Sequence, residues 1–214
     1  MASIDHFYVF TKIGAPEQQR LLERGLRVGV RRDHHGQGTS NVCFYFANCY
    51  LELLWLGDDK AAHNVMAKPL GLYERMRWRA HHASPFGLCV APDSPDDEPP
   101  FASWDYRPEY LPEDMHIAMG CNSGVIGEPL LFQVSRPFEP FGDSHALSEY
   151  SLSRLVVTTP ELAPMSLLKE LEVERLDLQE GTEHLMEVTL QKGDAAPGDN
   201  ELDLRPDLPL VLRW

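Results

Sequence analysis

The chain has 214 residues, with 33 acidic against 19 basic side chains and a formal net charge of −14. That field repels nucleic-acid backbones and anionic membranes, and no cluster of Lys and Arg reverses it locally. No stretch approaches the roughly 20 apolar residues that span a bilayer, and "MASIDHFYVF" lacks the basic segment of a secretory leader, so a cytoplasmic location is expected.

"IDHFYVFT" (4–11) is rich in β-branched and aromatic residues and reads as a strand. "GAPEQQRLLERGL" follows as a helix, with Pro16 in its first turn and Gly25 as its cap. "RVGVRR" is a short strand and "DHHGQGTS", which holds His34 and His35, a glycine-rich loop. "NVCFYF" and "CYLELLWL" are strands joined by a tight "AN" turn, which makes the first 56 residues βαβββ. Residues 58–82 read as helical, "PFGLCVA" as a strand, and 92–100 as an acidic, proline-rich loop. "FASWDYRPEYLPEDM" is extended or turn-like because of its X-Pro steps. "HIAMGC" and "PLLFQVS" read as paired strands around a glycine-rich connection.

From residue 151 a similar pattern returns: the strand "LSRLVVTTP", the helix "APMSLLKELEV", then the strands "ERLDLQEG", "HLMEVTLQ" and "LPLVLRW". Four cysteines, Cys43, Cys49, Cys89 and Cys121, have no C-x-x-C spacing and read as small buried hydrophobes.

One carboxylate does not fit the run around it: Glu52 stands between Leu51 and Leu53. A charge there is paired, protonated or bound to something. Alternation puts His6 with Tyr8 and Phe10 on one face of the first strand, and Glu52 with Tyr50 and Leu54 on one face of the fourth. If those faces meet, an imidazole and a carboxylate converge.

The paired βαβββ pattern, Asp5-His6 in the first strand and Tyr50-Leu51-Glu52-Leu53 in the fourth resemble the vicinal oxygen chelate superfamily. The step His35, Gly38, Thr39, Asn41 resembles its glyoxalase-like subgroup. The resemblance implies an α+β fold of two βαβββ modules forming a cup-shaped, mostly antiparallel sheet. It implies a first module at 1–56, a helical and extended insertion at 57–150 that completes or covers the cup, and a second module at 151–214, in one compact unit. It also implies a small organic molecule in the cup, and homodimers are common among similar proteins.

A divalent metal (Fe, Mn, Zn or Ni), where present, takes His6 and Glu52, and Glu52 also suits a general base. Further ligands normally come from the second module, where the matching strands offer Arg154 and Arg213, neither of them a ligand. His116, Glu128, His145 and His184 are substitutes that spacing does not separate. His35, Trp104, Tyr106 and Arg107 are candidate substrate contacts, the last three with Tyr110 as an aromatic and cationic wall. Three functions stay open: metal-assisted proton transfer of the lyase, isomerase or dioxygenase type; metal-free sequestration of a small molecule, with Glu52 on a guanidinium; and a structural or partner-binding role.

Overall fold

A computed structural model of the protein describes residues 2–91, 94, 97–134, 149–160, 162, 166–195 and 198–214. It contains four short α-helices, α1 (Gln18–Glu23), α2 (Asp59–Ala62), α3 (Leu72–Met76) and α4 (Trp78–His81). No described helix is long and apolar enough to cross a membrane. The first eight strands are β1 (Ser3–Phe10), β2 (Val28–His34), β3 (Thr39–Tyr45), β4 (Tyr50–Leu56), β5 (Phe86–Ala91), β6 (Ser103–Tyr106), β7 (Ile117–Gly120) and β8 (Leu130–Val134). They form one sheet in the order β2-β3-β4-β1-β5-β8-β7-β6.

That order is a repeat. β1 runs parallel to β4 with β3 and β2 outside it, and β5 runs parallel to β8 with β7 and β6 outside it. The halves meet along the antiparallel pair β1–β5. The strands that face the first module across the sheet thus come from 86–134, where the sequence suggests an insertion. β5 already occupies the free side of β1, which leaves no edge there for the strands after residue 149.

Those later strands form, but in a sheet of their own. β9 (Tyr150–Thr159), β10 (Leu176–Glu180), β11 (Leu185–Lys192), β12 (Glu201–Asp203) and β13 (Leu210–Arg213) take the order β10-β9-β11-β13-β12. The pairings β9∥β10 and β11∥β13, joined by antiparallel β9–β11, repeat the inner strands of the first sheet. Alternation explains the position of this second sheet. Phe7 and Val9 of β1, Leu51 and Leu53 of β4 and Leu88 of β5 share one apolar cluster with Leu155, Val157, Met186, Val188, Leu210 and Leu212. Water is thereby removed from the back of the first sheet, and the opposite face is left for the cup.

Two helical readings are shortened. The stretch 58–82 breaks at Pro69 and Gly71, where the backbone turns left-handed (φ 61°). Between β9 and β10 only a single 3₁₀ turn, Leu167–Lys169, appears among the described residues.

Candidate functional site

The front face of the first sheet is built from the other half of each alternation. Registers His6↔Tyr50 and Tyr8↔Glu52 place His6 and Glu52 on the same side, diagonal to each other across the β1–β4 pair. Both line a cavity of about 270 Å³ whose other walls include Leu54, Leu70, Leu72, Met119, Leu130 and Phe132. The sequence expectation that their faces converge is met. Glu52 faces this cavity, while its neighbours Leu51 and Leu53 face the second sheet.

Glu52 is only 7% exposed. Its Oε1 accepts a hydrogen bond from Asn41 Nδ2 at 2.9 Å, and the Cys43 thiol stands 3.8 Å away. The amide is oriented by its other end: Asn41 Oδ1 accepts the Arg32 backbone N–H at 3.1 Å. No basic side chain forms an ion pair with Glu52 among the described residues. Arg154 and Arg213, the guanidinium candidates, pair instead with Asp177, and with Glu187 and Glu201, in the second sheet.

A bulge at Asp5 sets the surroundings of His6. Ile4 pairs with Val90 and His6 with Cys89, so Asp5 is the extra residue, and bulges of this kind re-aim side chains at sites. Asp5 Oδ1 lies 2.5 Å from His6 Nδ1, and the His6 ring stacks on Tyr50 with 4.4 Å between centroids. Burial lowers the His6 pKa, but Cys89, Asp5 and Glu52 outweigh it and the net direction is upward. Burial pushes the Cys89 thiol up. One ligand atom each from Asp5, His6 and Cys89 lie within 4.8 Å of one another, a mixed oxygen, nitrogen and sulfur set. Glu52 is not part of that group.

The other expected donors lie elsewhere. His116 contacts Asp105, Glu128 binds Asn122, and His184 lines a separate cavity beside Trp78. His145 lies outside the described residues. β8, which stands opposite β4 in the 86–134 half of the sheet, turns Leu130, Phe132 and Val134 to the cup, all hydrocarbon.

Of the expected substrate contacts, Tyr106 lines the cavity. His35 sits exposed in the turn after β2, Arg107 is exposed and paired with Asp105 at 2.8 Å, and Trp104 Nε1 donates to Ser123 Oγ at 3.2 Å. None of these three is among the cavity-lining residues. Tyr110, expected in the same wall, lines the cavity as well, and sequence reasoning missed Arg32, His34 and Gln37, which also line it. β2 runs two residues further than the sequence suggests, and Arg32, paired with the cup-facing Asn41, puts His34 on the same face. Counting in twos along β2 from Asn41's partner is the signal that identifies it.

The turn between these strands is closed by glycine. At Gly38 the backbone has φ +83°, and a Cβ would stand 2.4 Å from the Asp58 carbonyl oxygen. Gln37 then reaches inward. Its Oε1 lies 3.1 Å from Tyr106 Oη and 3.2 Å from Tyr110 Oη, and its Nε2 2.7 Å from Thr39 Oγ1. Thr39 Oγ1 is 2.8 Å from His34 Nδ1. Burial lowers the His34 pKa, opposed by Glu52.

Comparison with known proteins matches part of the chain. Residues 4–100 match the family model described as "Glyoxalase-like domain". Over that stretch, somewhat under half of the chain, the protein is similar to glyoxalase-like domains. The crystal structure of a hypothetical protein from Staphylococcus aureus shares the fold over 100% of this chain and 98% of its own, at TM-score 0.58 and 12% identity. A methylmalonyl-CoA epimerase from Mycobacterium tuberculosis aligns at TM-score 0.38 and 12% identity, over 62% of this chain and 86% of its own. No curated protein matches the chain.

Proposed function

We propose that the protein acts on a small organic molecule held in the cup, with Glu52 as the group that takes and returns a proton. The carrying observation is a carboxylate 7% exposed, facing a largely apolar cavity and held by the amide of Asn41. A carboxylate whose two neutral donors, Asn41 and Cys43, both meet Oε1 keeps its other oxygen available to a bound molecule, and apolar walls exclude the water that would compete for its proton. Carbon acids beside a carbonyl are the substrates that such a base suits.

β8, the counterpart of β4 in the 86–134 half of the sheet, adds no ligand to a metal on His6 and Glu52, because it turns only Leu130, Phe132 and Val134 to the cup. Asp5, His6 and Cys89 do fit a divalent ion that accepts imidazole and thiolate, such as Zn²⁺. An ion bound there supplies polarisation of a ligand oxygen.

The hydrocarbon face of β8 favours a second reading, sequestration without turnover. Titration of a panel of small carbonyl compounds in D₂O separates the two. Methyl shifts of Leu54, Leu70, Leu72 and Leu130 report occupation of the cup. Deuterium entering the bound compound supports the base, and binding without exchange supports sequestration. Binding that leaves those methyls unmoved excludes both.

A further inference from the structure

We propose that His34 is held as a neutral imidazole presenting its Nε2–H into the cup, where it donates to an uncharged carbonyl oxygen of the bound molecule. This rests on the reading of the cup as a small-molecule site, and it adds the residue that recognises the oxygen.

The direction of the hydrogen-bond chain carries the inference. Tyr106 Oη and Tyr110 Oη both meet one atom of Gln37, at 3.1 and 3.2 Å. Their hydrogens have no other acceptor among the described residues, and Tyr106 is 1% exposed. Both phenols therefore donate, and the atom they meet is the amide oxygen. Reversing the amide would leave two phenol hydrogens unpartnered, the costlier arrangement. Gln37 Nε2 then donates to Thr39 Oγ1 at 2.7 Å. Thr39 keeps one hydrogen, and its one remaining neighbour is His34 Nδ1 at 2.8 Å. So Thr39 donates, Nδ1 accepts, and the proton of a neutral His34 sits on Nε2.

The surroundings agree. A protonated ring would donate Nδ1–H to Oγ1 and leave the Thr39 hydrogen without an acceptor among the described residues. Burial also disfavours the charged ring, although Glu52, Arg32, Asp33 and His6 act on it as well. Nε2 makes no hydrogen bond to a described residue, and the ring lies beside Tyr110, 4.7 Å between centroids, on the cavity wall. The cup thus holds a fixed donor, His34, and a fixed acceptor, Glu52. A molecule carrying a carbonyl oxygen and a transferable hydrogen meets both.

Long-range ¹H–¹⁵N correlation of the ¹⁵N-histidine-labelled protein tests this, with His34→Phe assigning the signal. At pH 7 the wild type is expected to show an unprotonated Nδ1 and a protonated Nε2. Thr39→Val should give a mixture of tautomers, and Thr39→Ser should restore one. An Nδ1–H tautomer or an imidazolium in the wild type overturns the proposal. The ligand arm uses acetophenone and its acceptor-free analogue ethylbenzene. Acetophenone should bind about fivefold more tightly, as one neutral hydrogen bond allows, and should shift the His34 Nε2 signal. The preference should vanish in His34→Phe. Equal binding of both overturns the donor role and leaves the cup as a ligand site, whereas binding of neither overturns both readings.

Discussion

Asn41 bridges the backbone of β2 and the carboxylate of β4: its oxygen accepts the Arg32 N–H and its nitrogen, 2.9 Å from Glu52, donates. One amide therefore fixes both the edge hairpin and the direction in which Glu52 points. Asn41→Asp keeps the acceptor for Arg32 but sets a second carboxylate against Glu52. The variant should lose about 2 kcal/mol or more of stability at pH 7. It should recover much of that at pH 4.5, where the pair shares a proton. Urea denaturation at the two pH values measures it, and equal loss at both contradicts the assigned contact.

The hairpin that carries His34 depends on one glycine. Gly38→Ala combines a left-handed backbone with a Cβ 2.4 Å from the Asp58 carbonyl oxygen, and should cost about 2–4 kcal/mol. Gly57, across the same contact, has its nearest such atom at 3.9 Å, so Gly57→Ala should cost under about 1 kcal/mol. Thermal unfolding of the two variants side by side gives the comparison.

How far the sequence leads depends on which physical signal decides each feature. The faces of β1 and β4 follow from alternation alone, and alternation is enough to set His6 and Glu52 on one wall. Sheet membership does not follow. The strands at 86–134 and at 150–213 carry similar patterns, and the choice between them rests on what covers Phe7, Val9, Leu51 and Leu53, a tertiary matter. The extent of β2 is also hidden, because Asp33 and His34 look like loop residues beside two glycines. The glyoxalase-like step therefore points to His35, which faces solvent, rather than to His34. Trp104 shares a face of β6 with Tyr106 and packs beside it, 6.0 Å between ring centroids, but only Tyr106 reaches the cavity, and Arg107 lies beyond the end of the strand.

His184 makes a prediction for pH. It is 7% exposed, packed near Trp78 and Phe86, and neither ring nitrogen has a hydrogen-bond partner among the described residues. Burial lowers its pKa from 6.5 to about 4. Its folded pKa lies below the unfolded one, so its contribution is complete above pH 6.5 and is lost as pH falls towards 4. His184→Phe should remove about 1–3 kcal/mol of the acid sensitivity in that window. Stability curves of wild type and variant that stay parallel between pH 7 and pH 4 contradict the assignment.

Metal retention distinguishes the two donor sets. After incubation with Zn²⁺ and desalting, Cys89→Ala should retain at least about tenfold less metal than wild type, because a thiolate ligand is removed. Glu52→Gln should retain as much as wild type. Loss on Glu52→Gln with no effect of Cys89→Ala would place the ion on the His6–Glu52 pair instead.

The central claim, that Glu52 moves a proton in the cup, is tested most directly by exchange of solvent deuterium into a carbonyl compound that binds there. The rate is followed by ¹H NMR for wild type and for Glu52→Gln, which preserves shape and can still accept from Asn41. Wild-type protein should catalyse exchange, and Glu52→Gln should bind the compound with similar affinity yet exchange it about 100-fold or more slowly, the usual contribution of a positioned base. Exchange at the wild-type rate in Glu52→Gln would contradict the claim.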